Sequence, residues 1–544
     1  MKNAPIFFAA MLLCLFSCNN KQPVDLILHN GVVYTVDSAF TIAGAFAVKD
    51  GKIIDVGTNE EILGKYKSDS VIDAGGKAVY PGFIDAHCHF FGYGTNLTKV
   101  DLVGCSSENE MISRVEDWAA KNPDGWILGR GWDQNDWPGK TFPDKTELDR
   151  LFPERPVYLT RVDGHAALVN SAAMKMAGIS SATKISGGVV ELKGGFPSGI
   201  LIDNAMDLVY AKIPQPSDKQ SEEALLKAQQ NCFAVGLTTV DDAGLPLRIV
   251  KLIEKMQEAG TLKMRIYAML DPTEENFQAF RKPLIQDRLS VRSFKIYADG
   301  ALGSRGAWLL EPYADDPGNC GLLLQDSAYY HLWAKRCKEN GFQLNVHAIG
   351  DAANQLMLSV FALYNERNMD LRWRIEHAQV VAETDFDVFG NYGIIPSVQP
   401  THATSDMSWA GDRLGSRIKN AYAYRRLMRQ NGWIPLGTDF PVENINPMFT
   451  LFAAVARQNE DCMPEGGFQI TDELSRKEAL RGMTIWAAMA NFEEKQKGSI
   501  EVGKVADFVI LDRDIVKCPI REARDAKVLR TVLNGETVFE VESL

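Results

Sequence analysis

Phe83-Ile84-Asp85-Ala86-His87-Cys88-His89 is an apolar, strand-like run that ends in two histidines separated by one residue. Alternate residues of a strand face the same side, so His87 and His89 would point the same way while Cys88 points away. Two neutral imidazoles placed in this way can share one divalent metal, although an ordinary hydrogen-bonded pair has the same spacing. The chain has only 8 histidines in 544 residues, so the positions of the others are informative.

Outward from this stretch, short β-type runs alternate with helical patterns, which predicts parallel strands covered by helices. The strand candidates are residues 83–89, 157–162, 237–241, 265–270, 293–298, 343–347, 374–377, 394–399 and 434–439. This is one more than an eightfold barrel needs. The excess disappears if residues 100–215, rich in tryptophan, glycine and proline, form an insertion after the first strand. Such an insertion would be a lid or pocket wall, or a packed surface excursion.

Both ends of the chain carry hairpin signals. Asp50-Gly51 and Asn534-Gly535 each separate two apolar runs, as hairpin turns do. Neither end is large enough to form a core alone. We therefore predict an α/β protein with a (β/α)₈ TIM-like barrel over residues 81–490. The remaining segments, 24–80 and 497–544, would assemble into one small β-sandwich domain.

The N-terminus resembles an export signal. A short apolar run follows Lys2 and ends before Cys18, which predicts a signal peptide over residues 1–17. The site resembles that of a bacterial lipoprotein, so Cys18 would be lipidated and would anchor the protein at the periplasmic or cell-surface side of a membrane. Phe16 departs from the small residue usual there, which leaves a soluble periplasmic protein as the alternative.

The net charge excludes one class of partner. A formal charge of −12 and a pI near 5.3 argue against nucleic acid, because phosphate binding needs a concentrated basic surface. We expect a small-molecule substrate and no membrane contact beyond the lipid. The sequence leaves the oligomeric state open, a homodimer included.

Potential metal ligands stand at or near the ends of the predicted barrel strands, where barrel enzymes place their chemistry. Beside the first-strand pair, these are Lys295, His347, His377 and Asp439. Strand alternation turns Lys295 inward together with Tyr297. Each ligand alone has a structural alternative, such as a core hydrogen bond or a helix cap, but the ordered set favours a metal site.

The order His-x-His, Lys, His, His, Asp resembles the amidohydrolase superfamily in its two-metal subtype. Further motifs resemble the branch that contains N-substituted formamide deformylase: Asp163-Gly164-His165, Ala298-Asp299-Gly300-Ala301-Leu302-Gly303-Ser304-Arg305-Gly306-Ala307, Val346-His347-Ala348-Ile349-Gly350-Asp351, Ile375-Glu376-His377-Ala378-Gln379 and Gly437-Thr438-Asp439-Phe440-Pro441. The resemblance covers nearly all of the predicted mature chain. It implies the same barrel and split β-sandwich.

The resemblance also implies roles for the ligands. One metal would be held by His87, His89 and Asp439, and a second by His347 and His377. Lys295 would bridge both metals as a carbamate formed from carbon dioxide, or else would stay an ammonium beside Asp299 in a one-metal variant. Asp439 would also be catalytic and would carry the proton from the metal-bridging hydroxide to the departing amine. Zinc is the expected metal, with manganese or iron as alternatives.

Substrate contacts are predicted for His165, which could bind a carbonyl or oxyanion, for Arg305, which could bind a carboxylate or form a surface ion pair, and for Trp132. His402 follows the seventh strand, and its role is open. The predicted function is metal-dependent hydrolysis of an amide or N-formyl C–N bond. A cyclic amide, ester or lactone hydrolase with the same site is one alternative, and a lipid-anchored, non-catalytic metal- or ligand-binding protein is another.

Overall fold

The computed structural model describes residues 21–365 and 369–541. The predicted signal peptide and Cys18 lie outside the described residues. No helix within the described part of the chain is long and apolar enough to cross a membrane.

A parallel β-barrel forms the centre of the molecule, as predicted. Seven of its strands pair side by side in chain order: Phe83–Cys88, Leu237–Leu245, Arg265–Leu270, Leu289–Tyr297, Gln343–Ala348, Arg374–His377 and Ile395–Ser397. Residues 434–439 take the eighth position, where Val398 forms a parallel bridge with Leu436. Backbone bonds from Ala86 N–H to Leu436 O and from Asp439 N–H to His87 O return this segment to the first strand and close the barrel.

Helices cover the barrel between successive strands, as the alternation of patterns predicted. They are Asp218–Ala234, Leu247–Glu258, Glu274–Ala279, Ser327–Asn340, Asp351–Tyr364, Phe386–Tyr392, Tyr424–Asn431, Pro447–Ala456, Arg476–Gly482 and Ile485–Ala490. Ser475-Arg476-Lys477-Glu478 is a capping-box pattern in the sequence, and the structure forms this box at the start of the helix Arg476–Gly482. The apolar periodicity after this box continues through Leu480, Met483 and Ala487 and predicts one longer helix, but the helix ends at Gly482 and a second one begins at Ile485. A Cβ at Gly482 would lie 2.5 Å from the Leu436 side chain, so glycine lets this helix end approach the eighth strand.

The two ends of the chain form one β-sandwich, as predicted. One sheet has four strands, Lys52–Gly57, Ala45–Lys49, Leu26–His29 and Val71–Asp73. The other has six, Glu536–Glu540, Val528–Leu533, Phe508–Leu511, Ala78–Pro81, Val32–Tyr34 and Ile42–Ala43. Side chains from both ends, including Phe46 and Phe508, share its core. Asp50-Gly51 and Asn534-Gly535 occupy the hairpin turns.

A further sheet of six strands is inserted, in chain order, between the first barrel strand and the helix Asp218–Ala234. Its strands are Val100–Asp101, Ile127–Trp132, Val157–Arg161, Ala166–Val169, Phe196–Asp203 and Gly188–Lys193. The surplus strand candidate at 157–162 is thus part of this sheet and not of the barrel. Helices Glu108–Lys121 and Ser171–Ala177 accompany the sheet, which has its own apolar cores.

Candidate metal centre and active site

Asp439 stands at the centre of the candidate site, at the C-terminal end of the eighth barrel strand. Its carboxylate lies between two pairs of histidines. Oδ1 is 3.3 Å from His89 Nε2 and 3.8 Å from His87 Nε2. Oδ2 is 3.5 Å from His402 Nε2 and 3.9 Å from His377 Nδ1. Each oxygen of Asp439 therefore faces one pair of histidines, and the two pairs are neighbours.

The first group is His87, His89 and Asp439. Each imidazole is held through Nδ1, which leaves Nε2 toward Asp439. His87 Nδ1 lies 2.8 Å from Glu376 Oε2, and His89 Nδ1 lies 3.1 Å from the carbonyl oxygen of Ala243. Such contacts fix the ring orientation and the tautomer of a metal-binding histidine. The structure thus brings together the three residues expected for the first metal.

The second group consists of His377, His402 and Asp439. His377 Nδ1 lies 2.7 Å from Gln399 Oε1, and His402 Nδ1 lies 3.2 Å from the Gln379 amide nitrogen. His402 belongs to the helix Pro400–Asp406, which begins directly after the seventh strand. Sequence reasoning left this residue open, because a histidine inside a helix gives no strand-end signal.

His347 is beside this group but is directed elsewhere. Its ring is 4.7 Å from the His377 ring and 4.8 Å from the His165 ring, centroid to centroid. Its Nε2 lies 3.3 Å from Gly300 O and 3.6 Å from Asp299 Oδ1. The role of His347 at the second metal stays a prediction, while His377, His402 and Asp439 are the donors that the structure brings together beside it.

Lys295 reaches the same space from the fourth barrel strand. Its Nζ lies 3.3 Å from His87 Nε2 and 4.4 Å from the centre of the Tyr297 ring. Burial lowers the pKa of this amine to about 8, although nearby carboxylates act to raise it. The alternative ion pair with Asp299 is not formed, because that carboxylate accepts the backbone N–H groups of Trp308, Ile349 and Gly350.

The protonation of the site suits a cation. Burial raises the pKa of Asp439, but His89, His87 and His377 lower it more, so the pKa lies well below its usual range. Burial also holds the pKa of His377 well below its ordinary value and lowers that of His402. The second pair of imidazoles, His377 and His402, is therefore neutral beside the Asp439 carboxylate, the protonation states that bind divalent metals.

The donor set passes a further test for a metal. His402 Nε2 is buried and makes no hydrogen bond to any described residue, which is costly for a polar atom unless a ligand satisfies it. It points toward Asp439. Imidazole nitrogen and carboxylate oxygen are ligands of zinc and related divalent ions. The residues present thus fit a metal at Oδ1 of Asp439, and they fit one at Oδ2 when the Gln379 amide presents its oxygen to His402 Nδ1, which leaves His402 Nε2 unprotonated.

A buried polar network lies beneath His87. Glu376 binds this histidine, and the Arg374 guanidinium lies 3.9 Å from the other oxygen of the same carboxylate. Arg374 in turn donates to Asp241 at 3.0 Å. Burial raises the pKa of Glu376, but the charges of His87 and Arg374 and the hydrogen bond from His87 bring it below the ordinary value. Glu376 is therefore an anion that orients His87.

The three predicted substrate residues have different surroundings. His165 lies beside His347 at the barrel mouth and is held by Asp203, whose Oδ1 is 2.7 Å from its Nδ1. Arg305 forms an ion pair with Asp315 at 2.9 Å, as its alternative role anticipated. Trp132 is fully buried in the core of the inserted sheet, and its indole N–H donates to Leu159 O. The structure brings only His165 to the metal donors.

Cys88 takes no part in the site. Its side chain is buried within the main apolar core, which also contains Cys232 and Phe90. Burial keeps the pKa of this thiol well above its ordinary value. This agrees with the strand alternation that turned Cys88 away from its histidine neighbours.

The model of the amidohydrolase family matches residues 70–539. The chain belongs to the amidohydrolase family. It is 33% identical to Protein LONG AFTER FAR-RED 3 of Arabidopsis thaliana over 538 residues, which cover 95% of this chain and 91% of that protein. It is 28% identical to the N-substituted formamide deformylase of Arthrobacter pascens, over 95% of this chain and 99% of the other.

A solved structure agrees with this fold. It is described as an uncharacterized metal-dependent hydrolase from Pyrococcus furiosus and superposes with a TM-score of 0.71 at 28% identity, covering 90% of this chain and 100% of the other. Family membership and the two His/Asp groups together support a hydrolase that uses divalent metal. The resemblance noted in the sequence is thereby confirmed.

Proposed function

We propose that this amidohydrolase cleaves the C–N bond of an amide, of the N-formyl type, at the site centred on Asp439. The observation that carries the proposal is the position of this carboxylate between two histidine pairs, with one oxygen toward each. The 28% identity to a relative named N-substituted formamide deformylase supports the bond type. Zinc is the proposed metal, because histidines make up most of the donor set.

Divalent metal at this site would lower the pKa of a bound water and polarise the scissile carbonyl. The protein's own residues would supply the proton transfers. Asp439 would take up the proton of the attacking water and deliver it to the departing amine, which leaves poorly as an anion. His165, held by Asp203 on the far side of His347, would donate a hydrogen bond to the substrate oxygen as negative charge develops there.

Lys295 is proposed to carry a carbamate that completes the metal site. The amine is buried, and no carboxylate oxygen of the described residues lies within 4.0 Å of its Nζ. A neutral amine can add carbon dioxide, and the product is an anion with two oxygens that suits a two-cation site. His347 would then be a neighbour of the second metal, with His402 as its more direct donor.

The experiment that tests the function is a screen of purified protein against matched formamides, other amides, esters and lactones. Formamide hydrolysis that stops on chelation and returns with zinc is the expected result. Hydrolysis of esters or lactones alone would overturn the proposed bond type. Metal binding without turnover of any of these compounds would instead identify a binding protein.

We also propose that the chain is exported and acylated at Cys18, on the basis of the apolar run that precedes it. Mass spectrometry of the mature N-terminus tests this directly. A diacylated peptide that begins at Cys18 is expected. A free N-terminus at any other residue would contradict the anchor and leave a soluble exported protein.

A further inference from the structure

Two basic residues, Lys99 and Arg130, stand on one face of neighbouring strands at the start of the inserted sheet. Lys99 precedes the strand Val100–Asp101, and Arg130 lies in the neighbouring strand Ile127–Trp132. Asp101 is opposite Arg130 in the parallel register. Because side chains alternate along a strand, Lys99, Asp101 and Arg130 share one face of this sheet. Gly129 lies on the opposite face, against Val100 and Leu102.

Neither cation has an acidic partner. No carboxylate of the described residues lies within the 4.0 Å ion-pair distance of Lys99 or Arg130. Lys99 Nζ donates instead to the side-chain oxygen of Asn96 at 2.8 Å. Arg130 donates one N–H to Val162 O at 2.8 Å, and its Nε is buried without a hydrogen bond. Both groups therefore keep unused donors in a partly buried position.

The nearby acidic groups are already engaged. Asp101 accepts the backbone N–H of Val103 at 3.0 Å. Asp163 binds Arg161 and accepts the backbone N–H of His165. Burial and the like charge of Arg130 lower the pKa of Lys99 to about 8. Two unpaired cations that repel each other destabilise the protein unless an anion comes between them.

Arg130 lies beside the segment that carries His165. Burial lowers the pKa of the Arg130 guanidinium, although the charge of Asp439 acts to raise it. Gly164, next to His165, lies against the same guanidinium, since a Cβ at this glycine would be 3.4 Å from it. Arg130 thus borders the space into which a substrate must enter.

We propose that Lys99 and Arg130 form an anion-binding subsite of the substrate pocket, and that the preferred substrate is an amide bearing a carboxylate. The inference rests on the proposed amide hydrolysis and specifies its substrate class. A carboxylate would accept the free N–H groups of Arg130 and an N–H of Lys99, and would replace their mutual repulsion by charge-assisted hydrogen bonds. N-acyl amino acids combine the two required groups.

Formate release from N-formylglycine and from N-formylglycinamide tests the subsite, because the two compounds differ only in the charge of the distal group. We expect kcat/KM to be at least tenfold higher for N-formylglycine. Arg130→Gln and Lys99→Gln should each reduce this ratio, Arg130→Gln by tenfold or more. The exposed Arg150→Gln and Lys121→Gln in the same insertion should leave it unchanged. Equal kcat/KM values for the two compounds, or a ratio of these values that Arg130→Gln does not change, would overturn the subsite but not amide hydrolysis.

If neither compound releases formate, the proposed amide hydrolysis is wrong. The anion-binding subsite is then tested by ligand binding alone. Calorimetry then compares phenylacetate with 2-phenylethanol on the metal-loaded protein. Binding of phenylacetate at least tenfold tighter, and lost in Arg130→Gln, supports the subsite. Phenylacetate binding that neither Arg130→Gln nor Lys99→Gln weakens indicates a carboxylate held at the metals and overturns it.

Discussion

His402 Nε2 lies 3.5 Å from Asp439 Oδ2, so a helix that follows the seventh strand contributes a donor to the site alongside the strand ends. The other ring nitrogen of His402 is held by Gln379. This relationship places the second group of metal donors between the sixth, seventh and eighth barrel strands. Loss of His402 should therefore weaken binding at the second group of donors and spare the first.

His402→Ala should release one of the two metals and lower hydrolysis by at least roughly 10-fold, since even a residue that only orients a ligand contributes that much to metal affinity. Metal content by elemental analysis after dialysis, together with kcat/KM, measures both effects. His331→Ala is the matched control, because His331 lies in the outer helix Ser327–Asn340. A His402→Ala protein that still holds two metals would exclude His402 as a ligand.

Glu376→Gln should weaken the first metal by roughly 10–100-fold, the usual effect of losing a group that orients a histidine ligand. The amide keeps the size of the side chain but removes the negative charge 2.8 Å from His87 Nδ1. It also leaves the Arg374 charge less compensated. Competition with a chelator of known affinity measures the change. Unaltered zinc affinity would show that Glu376 serves only the fold.

Lys295→Ala should lose most of the hydrolytic activity, because the proposed bridge between the metals disappears. Added short-chain carboxylic acids should restore part of it by supplying a two-oxygen anion in the cavity that the side chain leaves. Rates with and without propionate measure the rescue. Normal activity in the substituted protein, or hydrolysis that does not depend on carbon dioxide during metal loading, would contradict the carbamate.

Asp507→Ala should destabilise the protein by up to about 3 kcal/mol, the lower end of the cost of breaking a buried ion pair, because Arg265 keeps a second ion pair with the exposed Asp287 at 3.4 Å. Asp507 of the β-sandwich segment is 2.7 Å from Arg265 Nε on the third barrel strand, and both side chains are buried. The ion pair of the exposed Lys65 with Asp55 gives the control, since Lys65→Ala should change the stability far less. Thermal unfolding compares the two. Equal losses of stability would show that the buried pair does not join the domains.

The sequence predicted most of the fold because its signals are local. Alternation along each strand, the hairpin pairs Asp50-Gly51 and Asn534-Gly535, and the capping box at Ser475 all depend on residues close in the chain. The break after Gly482 was missed, since it depends on contact with Leu436 across space.

The site was predictable where a donor ends a strand, as with His87, His89 and Asp439. His402 and the direction of the His347 ring were not, because helix geometry and the orientation of an imidazole depend on tertiary partners such as Asp439 and Gly300. Trp132 shows the same limit. A tryptophan near glycines can border a pocket or fill a core, and only packing in three dimensions distinguishes the two.

The metal stoichiometry of hydrolysis tests the central claim most directly. Protein stripped by a chelator in buffer that contains bicarbonate is titrated with zinc while formamide hydrolysis is followed. The arrangement of Asp439 between two histidine pairs predicts that activity returns in full only near two equivalents per chain. Saturation at one equivalent, or hydrolysis that persists in the metal-free protein, would contradict it.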